Sequence, residues 1–132
     1  MRVYLSGPIK DATDDEAKGW RDDAEWALKP FGVHIINPMR RDYRDDPCSH
    51  LPGLVEQDKI DIGMSDIVLV HFSRPSVGTS MEILYAWERG KRVITVSEDY
   101  TNDAWLVYHS HHIYRTLDEA YEKIRHLRSD YK

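Results

Sequence analysis

The sequence predicts an α/β fold: a single doubly wound domain with an open parallel sheet of four to five strands and helices on both faces. Short apolar runs alternate with amphipathic stretches along the chain in the order βαβαβαβ(β)α, the pattern of parallel strands joined by right-handed helical crossovers. The strongest apolar run, residues 67–72 (IVLVHF), is continuous, as in a strand covered on both faces of a parallel sheet. A length of 132 residues suits one domain, 1–132, with one ordinary core.

Residues 2–6 (RVYLS) read as the first strand, ended by the turn pair Gly7-Pro8. Thr13 and Glu16 have capping-box spacing, and behind them Ala17, Trp20, Ala24 and Leu28 recur at helical intervals until Pro30 and Gly32 stop the helix. Residues 33–36 form a second strand, closed by Asn37-Pro38. The polar stretch 39–51 places Arg40, Arg41 and Arg44 among aspartates, and its length fits a binding loop or a solvated surface loop equally. A second helix is expected over 52–64, the central strand over 67–72, a loop over 73–78, and a third helix over 79–89 ended by Gly90. Residues 93–96 are the fourth strand. Residues 97–112 are mixed, and a short edge strand lies around Ile113. The last helix opens with the capping pair Thr116 and Glu119 and carries Ala120, Ile124 and Leu127 on one face.

Composition removes several function classes. Hydrophobic residues are 41% and charged residues 31% of the chain, as in a globular domain in water. No apolar run approaches the roughly 20 residues that span a bilayer, and the N-terminus has no signal-peptide core. Cys48 is alone, which excludes an internal disulfide framework and a multi-cysteine zinc site. A net charge of −5 argues against a basic face for a nucleic acid polymer. A small cytoplasmic enzyme or small-ligand binder, with no membrane and no nucleic acid as partner, is the expectation.

In doubly wound sheets ligands bind beyond the carboxyl ends of the strands, where the strand order reverses. The loops at 6–10, at 73–78 and after Val96 are therefore the candidates. The run Arg74-Pro-Ser-Val-Gly-Thr-Ser-Met-Glu82 leads into a helix, so Gly78, Thr79 and Ser80 would present N–H groups to an anion such as phosphate, with the Ser76 and Ser80 hydroxyls as further donors. It is not a Walker A loop, because no Gly-Lys-Ser/Thr triplet closes it. Glu82 stands one turn into that helix, close to the expected ligand. Thr79 and Glu82 also have the S/T-x-x-E spacing of a capping box, so spacing leaves both readings of Glu82 standing.

Asp58 falls with Val55 and Ile62 on the stripe of the second helix that should face the core. A carboxylate there is costly unless it is hydrogen-bonded or functional. Capping of a neighbouring backbone is the alternative, and the functional reading is slightly favoured over it. Asp61 points away from this stripe, and Asp66 helps to end the loop before the central strand. In the first turn, Ser6, Gly7, Pro8, Ile9 and Lys10 lack the GxGxxG of a dinucleotide site; Gly7 would admit a ligand close to the backbone and Lys10 would meet an anionic group. Tyr4 either packs in the sheet or points its hydroxyl at the cleft. His109, His111 and His112 lack metal-ligand spacing and neighbouring carboxylates, so structural or surface roles are expected and no metal site. No GxSxG elbow is present, and Cys48 has no evident activating partner.

Taken in order, Tyr4-Leu-Ser-Gly-Pro-Ile9, Asp58 with Ser65-Asp66-Ile67, and Gly78-Thr-Ser-Met-Glu82-Ile-Leu-Tyr-Ala86 resemble the nucleoside 2-deoxyribosyltransferase family, including its related 5′-monophosphate N-glycosidases. The likeness continues through Gly90-Lys91, Trp105-Leu-Val-Tyr-His109 and Thr116-Leu-Asp-Glu-Ala120, nearly the whole chain. It implies a flavodoxin-like sheet and cleavage of an N-glycosidic bond with Glu82 as nucleophile. The sugar would pass through a glycosyl-Glu82 ester to water or a second base, with no metal or organic cofactor. Asp58 would contact the base and move a proton, and Tyr4 would orient the nucleophile. The helix N-terminus is expected to hold Glu82 ionised.

At the position of Ser76, transferases acting on free nucleosides have an aspartate that reads the 5′-hydroxyl. A serine accepts a phosphate there, and Lys10 matches a basic residue of the hydrolases, so the resemblance leans to a nucleoside 5′-monophosphate. A transferase on free nucleosides and a non-catalytic nucleotide-binding module are the alternatives. The base pocket would draw on Ile9, Trp20, Asn37 and Arg40. The resemblance also implies a homodimer or higher homo-oligomer, a neighbouring subunit completing each site from about residues 100–110, with Trp105 and Tyr108 available to an interface.

Overall fold

Five runs form strands: β1 (Arg2–Ser6), β2 (His34–Ile36), β3 (Ile67–His71), β4 (Arg92–Val96) and β5 (His112–Tyr114). The computed structural model describes residues 1–130; Tyr131 and Lys132, the end of the expected 1–132 domain, lie outside the described residues. The strands form one sheet in the order β2-β1-β3-β4-β5, and every neighbouring pair is parallel. This is the 2-1-3-4-5 order of flavodoxin-like sheets, whose switch point lies between β1 and β3. β3 occupies the centre, as its uninterrupted apolar run requires.

Alternation along the strands divides the core into two layers. Val3 and Leu5 of β1 and Ile67 and Leu69 of β3 pack beneath α1 (Trp20–Leu28) and α5 (Leu117–Asp130). Tyr4, Val68, Val70 and Val93 pack on the other side with Ile62 of α2 (Gly53–Met64), Ile83 and Ala86 of α3 (Val77–Glu88) and Leu106 of α4 (Ala104–Tyr108). Among the described residues no helix is long and apolar enough to cross a membrane.

Several boundaries depart from expectation, each for a local reason. The first helix opens with a π-helical turn, Asp15–Gly19, before α1. Thr13 Oγ1 accepts from the Glu16 N–H at 3.2 Å, but the Glu16 carboxylate does not close the box. It takes Arg74 instead, at 3.1 Å from Nε and 2.9 Å from Nη2. Arg74 Nη2 also donates to the Lys10 carbonyl at 3.0 Å, so this ion pair ties the loops after β1 and β3 together at the carboxyl edge of the sheet. α3 begins at Val77 rather than Thr79. Ser76, in extended conformation, is its N-cap, with Oγ accepting from the Thr79 N–H at 3.3 Å. Glu82 is therefore the sixth residue of α3, and the capping-box reading of Thr79 and Glu82 is overturned. The stretch 97–112, expected as mixed, contains α4, whose N-cap Asp103 accepts from the Leu106 N–H at 3.0 Å.

Candidate active site

The site forms where β1 ends, on the α2 and α3 side of the sheet. Tyr4 and Ser6 are two residues apart on one strand, so both side chains point to the same face. α3 lays Glu82 across them. The Tyr4 hydroxyl donates to Glu82 Oε2 at 2.6 Å, and Ser6 Oγ donates to Glu82 Oε1 at 2.7 Å. Each carboxylate oxygen thus holds one hydroxyl and keeps a lone pair free. Tyr4 and Ser6 are buried, while Glu82 keeps part of its surface open.

Electrostatics sets the protonation of this cluster. Burial pushes the Glu82 carboxyl up to about 7; the Tyr4 and Ser6 hydrogen bonds oppose that rise, the charge of Asp58 adds to it and that of Arg21 opposes it. The expectation that the helix N-terminus holds Glu82 ionised is reversed: as sixth residue it lies beyond the first turn, where the helix dipole acts, and burial dominates. Burial and the neighbouring Glu82 charge hold the Tyr4 hydroxyl well above its ordinary value, so it remains a donor.

Asp58 lies on α2, near enough for its charge to act on both Tyr4 and Glu82. Burial raises its carboxyl to about 6, Arg41 and Arg40 opposing and the charge of Asp61 adding. Arg41 Nη2 lies 3.5 Å from Asp58 Oδ1.

The expected stripe on α2 is displaced by one position. Val55 is exposed, and Asp61, expected to point outward, is 2% exposed beside Ile62. Its Oδ2 accepts from Arg40 at 2.8 Å and Arg41 at 2.9 Å, and its Oδ1 from Gln57 at 3.1 Å. Burial pushes Asp61 up, but these donors outweigh it and hold the carboxyl below its ordinary range. The Arg40-Arg41 pair after β2 is therefore the buttress of α2 and of Asp58, brought to the site by the long polar loop. Of the three loops expected to matter, those after β1 and β3 line this end of the sheet. The segment after β4 reaches the same end of the sheet: Tyr100 packs edge-on against Phe72, the residue after β3, and Ser97 Oγ accepts from the Tyr100 N–H.

The donors expected to hold an anion at the start of α3 are partly engaged within the chain. Thr79 N–H is taken by Ser76 Oγ and Ser80 N–H by the Ser76 carbonyl at 3.0 Å, so neither is presented to a ligand as expected. Ser80 Oγ donates to the same carbonyl at 2.8 Å. Ser76 Oγ accepts from both Thr79 N–H and Thr79 Oγ1, which leaves its own hydrogen to donate outward. A Cβ added at Gly78 would meet open space.

The remaining candidates fall as follows. A Cβ on Gly7 would stand 3.0 Å from the Trp20 ring and 3.1 Å from the His71 carbonyl, so Gly7 admits a tryptophan rather than only a ligand. Trp20 lies in the layer opposite Glu82, 6% exposed, and is not brought together with it. Pro8 is buried, Ile9 half-buried and Lys10 exposed. The Asn37 side chain accepts from the Met39 N–H at 2.9 Å. The histidines serve the backbone: His111 Nδ1 accepts from the Val93 N–H at 2.9 Å, and His109 Nδ1 lies 2.7 Å from the Trp105 carbonyl. Sequence reasoning gave no site role to Arg41, Asp61 or Arg21. The first two carried a signal, adjacent arginines facing a helix with aspartates three apart; for Arg21 the signal is its place four residues after Ala17 on the buried stripe of α1.

Fold and site define a flavodoxin-like α/β protein with two titrating carboxyls at the switch point of its sheet. Residues 1–100 match the model of the family described as nucleoside 2-deoxyribosyltransferase like, and the chain belongs to that family. A comparison with curated protein sequences found no match. Solved structures of the same fold include the CMP N-glycosidase BcmB of Clostridium botulinum, at 23% identity and TM-score 0.65, covering 94% of this chain and 97% of that one. A 2-deoxyribosyltransferase of the psychrotolerant Bacillus psychrosaccharolyticus matches at 18% identity and TM-score 0.72, over 95% of this chain and 90% of that one. A conserved protein of Enterococcus faecalis V583 matches at 13% identity and TM-score 0.75, over 96% and 98% of the two chains. Membership supports an activity of the nucleoside 2-deoxyribosyltransferase and N-glycosidase kind.

Proposed function

We propose that the protein is a cytoplasmic enzyme that cleaves the N-glycosidic bond of a 2′-deoxynucleoside 5′-monophosphate through a covalent glycosyl-Glu82 intermediate, with water as acceptor. The observation that carries this reading is a carboxylate aligned by two strand hydroxyls, with a second carboxyl that titrates near neutrality in the same site. Ionised Glu82 attacks C1′ as the C1′–N bond breaks, and its electron pair leaves on the base nitrogen. Protonated Asp58 delivers a proton to that base. Water then attacks C1′, the ester bond breaks, its proton passes to Asp58 and the Glu82 carboxylate is restored. Two inversions give overall retention.

For the 5′-phosphate, the free Ser76 hydrogen, Gly78 and the N-terminus of α3 face the same edge of the sheet as Lys10. Ser80 would have to leave the Ser76 carbonyl to join them. Ile9, Asn37 and Arg40 would line the base. A transferase on free nucleosides is the second reading, because Asp58 can exchange its proton with an incoming base as readily as with water. A homo-oligomer is part of the proposal. α3 and α4 frame an apolar groove of about 410 Å³ that includes Met81, Leu84, Trp105 and Leu106. Trp105 is 76% exposed on it and Tyr108 lies exposed beside it, a face suited to a second copy.

Chromatography of purified protein with deoxynucleosides and their 5′-monophosphates, with and without a free second base, tests this reading. Base release from monophosphates without an acceptor supports the hydrolase, whereas exchange confined to free nucleosides replaces it with the transferase. Ser76→Asp should impair monophosphates at least about tenfold more than free nucleosides, since a carboxylate there repels phosphate. Equal losses on both contradict the phosphate subsite. Silence across the panel, with thermal stabilisation by a nucleotide, favours the binding module.

A further inference from the structure

Arg21 is 0% exposed, and among the described residues no carboxylate forms an ion pair with it. All its hydrogen bonds go to backbone carbonyls. Nη1 donates to Ala17 at 2.5 Å, Nη2 to Gly7 at 3.0 Å and Nε to Leu5 at 3.4 Å.

The register of the sheet explains why two of those carbonyls need it. β1 and β2 pair with Val3 opposite Ile35, and the Met1 carbonyl accepts from His34 N–H at 2.9 Å, so the odd-numbered carbonyls of β1 face β2. Continued in that register, the donor for the Leu5 carbonyl would be residue 38, which is proline and has no N–H. The donor for Gly7 would be Arg40, whose N–H is turned back to the Asn37 carbonyl at 3.2 Å. β2 ends at Ile36, and the guanidinium supplies the donors the missing strand would have provided. Between the two clamped residues lies Ser6, the side chain that holds Glu82 Oε1.

We propose that Arg21 is a positioning residue: from the far side of β1 it fixes the segment 5–7 so that Ser6 stays on Glu82, and it is the buried countercharge of the carboxylate pair. Its electrostatic part agrees with this. Burial lowers the guanidinium to about 10, while the charges of Tyr4, Glu82 and Asp58 raise it; the guanidinium in turn favours ionised Glu82. The groups that act on Glu82 are Tyr4 and Ser6 from β1 by hydrogen bond, Asp58 from α2 by charge and Arg21 from α1 by charge across β1, with Arg40, Arg41 and Asp61 acting on Asp58. Rate effects rest on the proposed glycosidic chemistry, but Glu82 titration does not.

The test compares wild type with Arg21→Gln, neutral but able to donate, and Arg21→Lys, charged but without the fork. Carbon-13 NMR of labelled glutamate follows the Glu82 carboxyl in ligand-free protein, and kcat/KM is recorded against pH. In Arg21→Gln the Glu82 midpoint should rise by about one unit and kcat/KM should fall about tenfold at pH 6, with recovery towards pH 9. Arg21→Lys should keep the midpoint and lower kcat/KM at every pH. A folded Arg21→Gln with an unmoved Glu82 midpoint overturns the countercharge. Should Arg21→Gln fail to fold, Arg21→Lys combined with Ser6→Ala decides: Ser6→Ala should cost less in the Lys background than in wild type, and full additivity overturns the positioning role. Wild-type protein without base release refutes the glycosidase reading and leaves the NMR comparison to judge Arg21.

Discussion

Glu82, midway along α3 and facing β1, is a half-buried acid with two hydroxyl donors, and its chemistry follows from the competition between desolvation and those hydrogen bonds. Removing water from the carboxyl raises its affinity for a proton; the Tyr4 and Ser6 hydrogen bonds recover part of the ionised form. Tyr4→Phe deletes a bond to a charged group, worth about 1.5–3 kcal/mol, so kcat/KM should fall roughly 10- to 100-fold and its acid limb should move to higher pH. A rate profile against pH checks both, and its apparent midpoints belong to the Glu82–Asp58 pair rather than to either residue. Stability moves in the other direction. Glu82 titrates at about 7 when folded and near about 4.3 when unfolded, so in that window the folded state holds more protons and stability falls as pH rises. Glu82→Gln should therefore raise Tm relative to wild type at pH 8 and change it little at pH 5, as measured by circular dichroism. Residue type and spacing singled out Glu82 and Asp58 as candidates, and the roles offered to them come from the family resemblance; the burial that sets their protonation was legible in neither, because it depends on which side of β1 α3 crosses.

At the scale of elements, α2 shows where periodicity is blind. The sequence admits two registers of the buried stripe, one with Val55 and one with Asp61, and apolar character favours the first. The structure takes the second, because two arginines and Gln57 from the same neighbourhood satisfy the Asp61 carboxylate. Asp61→Ala leaves Arg40 and Arg41 without that partner. Since both arginines keep access to water, the loss should be about 1–3 kcal/mol, below the about 3–5 of a fully buried pair. Urea denaturation measures it, and a change under about 0.5 kcal/mol contradicts the buttress. The start of α3 was misjudged by two residues for a similar reason: Thr79 and Ser76 both qualify as N-caps by type, and only the extended backbone of Ser76 decides. α4 was missed although Asp103 precedes an apolar run, since five residues are too few for a period to show.

The whole molecule follows from one consistent pattern. Alternating strands and helices, a doubly apolar centre at β3 and right-handed crossovers leave little freedom beyond strand order, and the switch point between β1 and β3 then places Tyr4, Ser6 and Glu82 together. The short β2 could be read from Asn37-Pro38, but its consequence for Arg21 appears only once the register of the sheet is known. The exposed face of α3 and α4 belongs to this scale too. Trp105→Glu should lower the assembly state in sedimentation velocity and leave the monomer folded; a wild-type protein that sediments as a monomer at all concentrations contradicts an interface there. In the proposed reaction Glu82 performs the chemistry. Chromatographic base release from deoxynucleoside 5′-monophosphates, by wild type and Glu82→Ala side by side, tests it most directly. Release by wild type with loss of more than about a thousandfold in a folded Glu82→Ala is the predicted result; base release by Glu82→Ala at the wild-type rate would contradict it.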